Sequence, residues 1–138
     1  MRYLVVSFFI LVFLPIINAS NLLEDVHRSF YLDEYVTVSE HFASSETPVI
    51  GADQLMHAYS LYKLEKFDQS RNVLDQVEVD EPFLNNCKLY LHYLLLVESN
   101  PEQARLFYLD SDLIKDVFFQ DFVFLSSAEV MLKKKDYD

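Results

Sequence analysis

Glycine occurs once in this 138-residue chain, as Gly51, and proline only four times. A β-sandwich or barrel of this length needs many tight turns, and glycine supplies most of them. The scarcity argues against that class and predicts an all-helical chain. It also removes the glycine-dependent motifs of catalysis and binding. No phosphate-binding loop or dinucleotide fingerprint can be written with one glycine. The GxSxG nucleophile elbow is absent, and no acidic cluster has the central glycine of a calcium loop.

Cysteine also occurs once, as Cys87, so no intrachain disulfide can form. An intermolecular one stays open in an oxidising compartment. Cys87 begins the largely apolar run Cys87-Lys88-Leu89-Tyr90-Leu91, where it reads as a buried structural thiol rather than a nucleophile. Tryptophan is absent. Basic residues are few, 11 against 22 acids, and the net charge is −11. Nucleic-acid phosphates need Lys and Arg, so that partner is not expected. The one basic cluster, Lys133-Lys134-Lys135, reads as a solvated helix end. An acidic surface also repels anionic membranes and favours solubility.

Apolar residues make up 51% of the chain, enough for one domain with a real core. Twelve Phe and nine Tyr can fill helix–helix interfaces. Residues Tyr3 to Ile17 form a nearly unbroken apolar run after Met1 and Arg2, followed by Asn18-Ala19-Ser20. One positive charge, an apolar core and a small residue at the boundary predict a secretory signal peptide over 1–19, cut after Ala19. The run is shorter than the ~20 residues of a membrane span, and an uncleaved N-terminal anchor is the alternative. No cysteine follows the core, which excludes a bacterial lipoprotein anchor. Cleavage leaves 22 acids against 10 bases, a net −12. It also splits the only Asn-X-Ser sequence, so N-glycosylation is not expected. The mature chain is then secreted, periplasmic or in a secretory lumen.

The remainder, 20–138, shows internal periodicity. Residue types recur 34 apart: Pro48 and Pro82, Tyr59 and Tyr93, Leu61 and Leu95, Ser70 and Ala104, Leu74 and Tyr108. This pattern resembles the tetratricopeptide repeat, a 34-residue helix–turn–helix. The best copy spans 51–84. Its first helix carries Leu55, Ala58 and Leu61, its turn is Leu64-Glu65-Lys66, and Phe67 plugs the hairpin mouth. Ser70 takes the small-residue position, Leu74 and Val77 follow on the same face, and Pro82 closes the unit. A weaker copy spans 85–118. Its first helix runs from about Phe83 to Val97, its turn is Glu98-Ser99-Asn100-Pro101, and Pro101 suits the first turn of the next helix. Ala104 falls on the small position, but His92 stands where the family has Gly or Ala. A repeat-like hairpin precedes these, Leu22–Leu32 and Tyr35–Ala43, two residues out of step with the family. A last helix near Phe119–Lys133 begins an incomplete unit, 119–138. The expected fold is thus all-α: a right-handed stack of about three antiparallel hairpins plus a partial one. The competing architecture is an irregular helical bundle. The partial unit leaves Phe118, Phe119, Phe122, Phe124 and Leu125 for a partner chain to cover, or marks a fragment of a longer protein.

Few residues carry chemistry. His27, His41, His57 and His92 have neither HExxH spacing nor partners at i+4, and zinc needs three or four converging ligands. No metal, cofactor or catalytic residue is predicted. Asp110 or Ser111 is a candidate N-cap for a helix starting near Asp112. The resemblance implies a protein-interaction scaffold whose first helices line a concave groove. The groove positions carried over are Leu55, Tyr59, Tyr62 and Lys63 from the better copy, and Asn86, Leu89 and Tyr93 from the weaker one. For Tyr59 and Tyr93, packing between repeats is the equal alternative. The family's basic carboxylate clamp is not reproduced, so a basic or apolar protein or peptide is expected. A self-assembling structural subunit is the alternative function.

Overall fold

The structure is a computed structural model that describes residues 21–46 and 48–135. The signal peptide read over 1–19 and the last three residues of the incomplete unit, 136–138, lie outside the described residues, as do the side chains of Lys133, Lys134 and Lys135. Among the described residues there are seven α-helices, one short 3-10 helix and no strand. The chain divides into two compact units, Met1–Glu78 and Val79–Asp138.

The first unit holds α1 (Asn21–Tyr31), α2 (Tyr35–Ala43), α3 (Gly51–Lys63) and α4 (Phe67–Leu74). Consecutive helices pack on one another, and the three-residue links at 32–34 and 64–66 make α1/α2 and α3/α4 antiparallel hairpins. The helices on either side of α3 bury a few residues each: Val38, Ser39 and Phe42 in α2, Ser70 and Leu74 in α4. In contrast, α3 buries an almost continuous run, Leu55, Met56 and Ala58 to Leu61, because α2 and α4 cover it from different sides.

The two turns of this unit are built alike. The amide of Glu34 donates to Ser29 O at 2.9 Å and that of Asp33 to Phe30 O at 3.2 Å. The amide of Lys66 donates to Leu61 O at 2.9 Å and that of Glu65 to Tyr62 O at 2.9 Å. Both are Schellman closures with a left-handed residue just past the helix. That residue is Asp33 in one and Glu65 in the other, with φ of 62° and 60°. Each is followed by an aromatic that folds back on the ring five residues earlier: Tyr35 on Phe30 at 5.9 Å and Phe67 on Tyr62 at 5.8 Å. The structural repeat of this unit is therefore 32 residues, from Asp33 to Glu65. Gly51, the sole glycine, opens α3 at φ +58°, where an added Cβ would strain the backbone.

The second unit holds α5 (Pro82–Ser99), α6 (Pro101–Asp110), a 3-10 turn (Asp112–Lys115) and α7 (Val117–Lys135). Its centre is α5, which packs on the other three elements and buries Cys87, Tyr90, Leu91 and Tyr93 to Leu95. Side chains cap the starts. A Glu81 carboxylate oxygen accepts the Leu84 amide at 2.7 Å, and Asn100 Oδ1 accepts that of Gln103 at 3.2 Å. Pro82 and Pro101 each follow their cap at the first helical position, where a missing N–H costs nothing.

Several sequence expectations are corrected here. Pro82 does not close a helix. It opens α5, and α4 has already ended at Leu74. Glu98 and Ser99 are helical, so the link between α5 and α6 is Asn100 alone. Ser111 stands at the cap position of a 3-10 turn rather than a full helix, makes no side-chain cap, and its hydroxyl donates back to Tyr108 O at 3.0 Å. Phe119 is buried and Phe122 half-buried against Tyr90 of α5, so only part of the aromatic α7 surface is uncovered. Ser70 and Ala104 are 0% and 1% exposed, and Ser70 Oγ donates across its hairpin to Ala58 O at 2.7 Å.

Candidate interaction groove

An opening of about 640 Å³ lies within the second unit, between α5, α6 and α7. Helix α5 contributes Tyr93 and Val97, α6 contributes Pro101 and Tyr108, and α7 contributes Val123 and Phe124. These give apolar walls. Glu102, Arg105, Gln120, Asp121 and Ser127 supply polar groups. Pockets of this volume, apolar with a few placed polar groups, are characteristic binding sites.

Two tyrosine–serine pairs fix the angle between α5 and α7. Tyr90 Oη meets Ser126 Oγ at 2.6 Å, and Tyr93 Oη meets Ser127 Oγ. Each serine hydroxyl donates back to its own helix, Ser126 to Phe122 O at 2.7 Å and Ser127 to Val123 O at 2.8 Å. That leaves each serine oxygen able to accept from its tyrosine, and the Tyr90 hydroxyl also lies 3.5 Å from Phe122 O. Burial pushes both phenols above their ordinary pKa, partly offset by the serine contacts, which keeps them protonated as donors. With its hydroxyl engaged, Tyr93 presents mainly its ring to the groove. Phe124 stands at the lip, 74% exposed.

A shallower depression of about 510 Å³ is lined by Pro82, Asn85, Asn86 and the residues around Asp116. Its polar groups answer one another. Asn86 Nδ2 donates to Asp116 at 3.0 Å and Lys115 Nζ to Asp112 at 2.7 Å. The Asp112 contact raises the Lys115 pKa.

The seven residues proposed from sequence do not share one site. Leu55 and Tyr59 are core side chains of the first unit, and Tyr59 packs its ring on Phe30, Tyr35 and Tyr62. Tyr62 is half-buried, and Lys63 Nζ lies 6.0 Å from the centroid of the Tyr35 ring. Leu89 is half-buried, Asn86 lines the shallow depression, and Tyr93 is buried with one face on the groove. Sequence reasoning missed Asp121 and the Ser126-Ser127 pair. The signal for the pair was two adjacent small hydroxyls on a helix otherwise rich in phenylalanine, opposite tyrosines three apart.

The histidines of α1, α3 and α5 and the one cysteine are packing groups. His27 Nε2 and Asp53 Oδ1 are 2.9 Å apart, joining α1 to α3. Burial lowers the pKa of His57, whose ring lies 5.7 Å from Phe42. His92 stacks on Phe107 at 4.8 Å, occupying the space that a small residue was expected to leave. Cys87 is buried, and burial raises its thiol pKa well above the usual range. Among the described residues no group of His, Cys, Asp or Glu could hold a metal, and no helix is long and apolar enough to cross a membrane. No family model, curated protein or solved structure matches the chain.

Proposed function

We propose that this chain is an exported, non-enzymatic scaffold that binds a segment of another polypeptide. The observation that carries the reading is the open groove of the second unit, with apolar walls from three helices and a polar rim, in which the Tyr93 hydroxyl is engaged by Ser127 of α7. Export rests on the sequence of residues 1–19. The repeat reading, a stack of tetratricopeptide-like hairpins, draws support from the matched turns at Asp33 and Glu65.

A second reading, self-assembly, draws on the exposed Val117, Phe124 and Leu132 of α7. Light scattering of the mature chain over a dilution series separates the two. The scaffold reading expects a monomer at all concentrations that also retains peptides from a displayed random library. A mass that rises with concentration, with no peptide retained, overturns it in favour of self-assembly.

A further inference from the structure

We propose that the groove between α5, α6 and α7 takes a short segment bearing one or two bulky apolar side chains beside a Lys or Arg. This rests on the scaffold reading and adds the chemistry of the partner. The walls select apolar anchors. Val97, Pro101 and Val123 offer no hydrogen bond, and the Tyr93 hydroxyl is already engaged by Ser127. A polar side chain held against these apolar walls would lose water contacts that the walls do not replace. The volume of about 640 Å³ is that of a site for a compact ligand group rather than a whole helix. Phe124, exposed at the lip, can close over the anchor and contribute aromatic area at little entropic cost.

The rim selects the sign of the neighbouring charge. Arg105 Nη2 lies 3.4 Å from Glu102 Oε1, so these two offset each other. Asp121 makes no ion pair among the described residues and gives the rim its net negative charge. The chain as a whole carries −11. A cationic segment is attracted at long range and finds Asp121 at short range. An acidic one is repelled on both scales.

The test selects binders to the mature chain from a displayed library of random dodecamers, then measures a synthetic copy of the dominant peptide by titration. Asp121 and Phe124 are exposed, so their replacement leaves the core untouched, and helicity by circular dichroism verifies folding. The expected peptides share an aromatic or branched aliphatic anchor next to Lys or Arg. Phe124→Ala should weaken the peptide about tenfold, as truncation of an aromatic anchor does. Asp121→Lys should weaken it several-fold, more at low salt. A peptide with its Lys replaced by Glu should then prefer the Asp121→Lys chain. Selected peptides without a cation overturn the charge assignment. Binding indifferent to both substitutions overturns the site and leaves the scaffold reading standing. No selected peptide at all overturns both. Saturable uptake of an apolar dye sensitive to Phe124→Ala, with no peptide selected, reassigns the groove to small ligands.

Discussion

The hairpins of the two units are closed differently, and the difference explains where the groove is. In the first unit, α1/α2 and α3/α4 turn through three residues with a left-handed one in the middle. The next residue, Tyr35 or Phe67, swings an aromatic ring onto Phe30 or Tyr62. In the second unit, α5/α6 turns on Asn100 alone, and the residue that opens α6 is Pro101. Phe67 and Pro101 occupy the same place, first in the second helix of a hairpin. One brings a large ring to the mouth of its hairpin, and the other brings a small one that forms part of the groove wall. Filling the mouth consolidates a core, and leaving it open provides a site.

The largest effect is expected at the packing of α7. Phe119→Ala should cost about 4 kcal/mol, the range for deleting a buried phenylalanine, because Phe119 is fully buried against Phe83 and Tyr90. Urea denaturation followed by helicity measures it. A loss below about 0.5 kcal/mol, the level of an ordinary surface change, would mean that α7 is not anchored on α5.

The small residues come next. Ser70→Leu and Ala104→Leu should each destabilise by about 2–3 kcal/mol through overpacking. Ser70→Ala should cost only about 1 kcal/mol, one buried hydrogen bond. If Ala104→Leu is tolerated in the same denaturation assay, the two hairpins do not share a close approach at that position.

The turns themselves give a smaller effect of opposite sign. Asp33→Gly and Glu65→Gly should each stabilise by about 1 kcal/mol, because glycine relieves the left-handed strain. Asn100→Ala should destabilise by about 1 kcal/mol through loss of the cap on Gln103. Asn100 has φ −152°, so glycine gains nothing there. Thermal melts of the three variants would show opposite shifts if the turns differ as described.

The smallest effect is a pH dependence. Burial lowers the folded-state pKa of His57 below its ordinary 6.5. The unfolded chain then takes up a proton there more readily than the folded one. This contribution to stability is present above pH 6.5 and is lost as pH falls through the lower folded value. His57→Gln should flatten that part of the stability–pH curve between neutral and mildly acidic pH.

Much of the helical layout was legible in the residues. Helix α2 spans Tyr35–Ala43 as read from its pattern, and Leu64-Glu65-Lys66 forms the turn before Phe67. Apolar spacing and the charged step locate these directly. Pro82 misled because proline both ends helices and opens them, and only the Glu81 cap decides which. The run Glu98-Ser99-Asn100-Pro101 misled in a related way, since it has the composition of a turn, yet Glu98 and Ser99 continue α5 and Pro101 opens α6. The site was least legible. Tyr59 and Tyr93 have the same residue type and a 34-residue spacing, yet one is wholly core and the other borders an opening. What separates them is α7, whose register against α5 is set by contacts such as Tyr93 to Ser127 that no local pattern announces.

Amide hydrogen exchange on the mature chain, with and without a selected peptide, tests the groove most directly. Slowed exchange is expected at the start of α6, residues 102–105, and in the middle of α7, residues 120–127, with α3 and α4 unchanged. Protection confined to α3 and α4, or tight binding with no protection in α6 or α7, would contradict it.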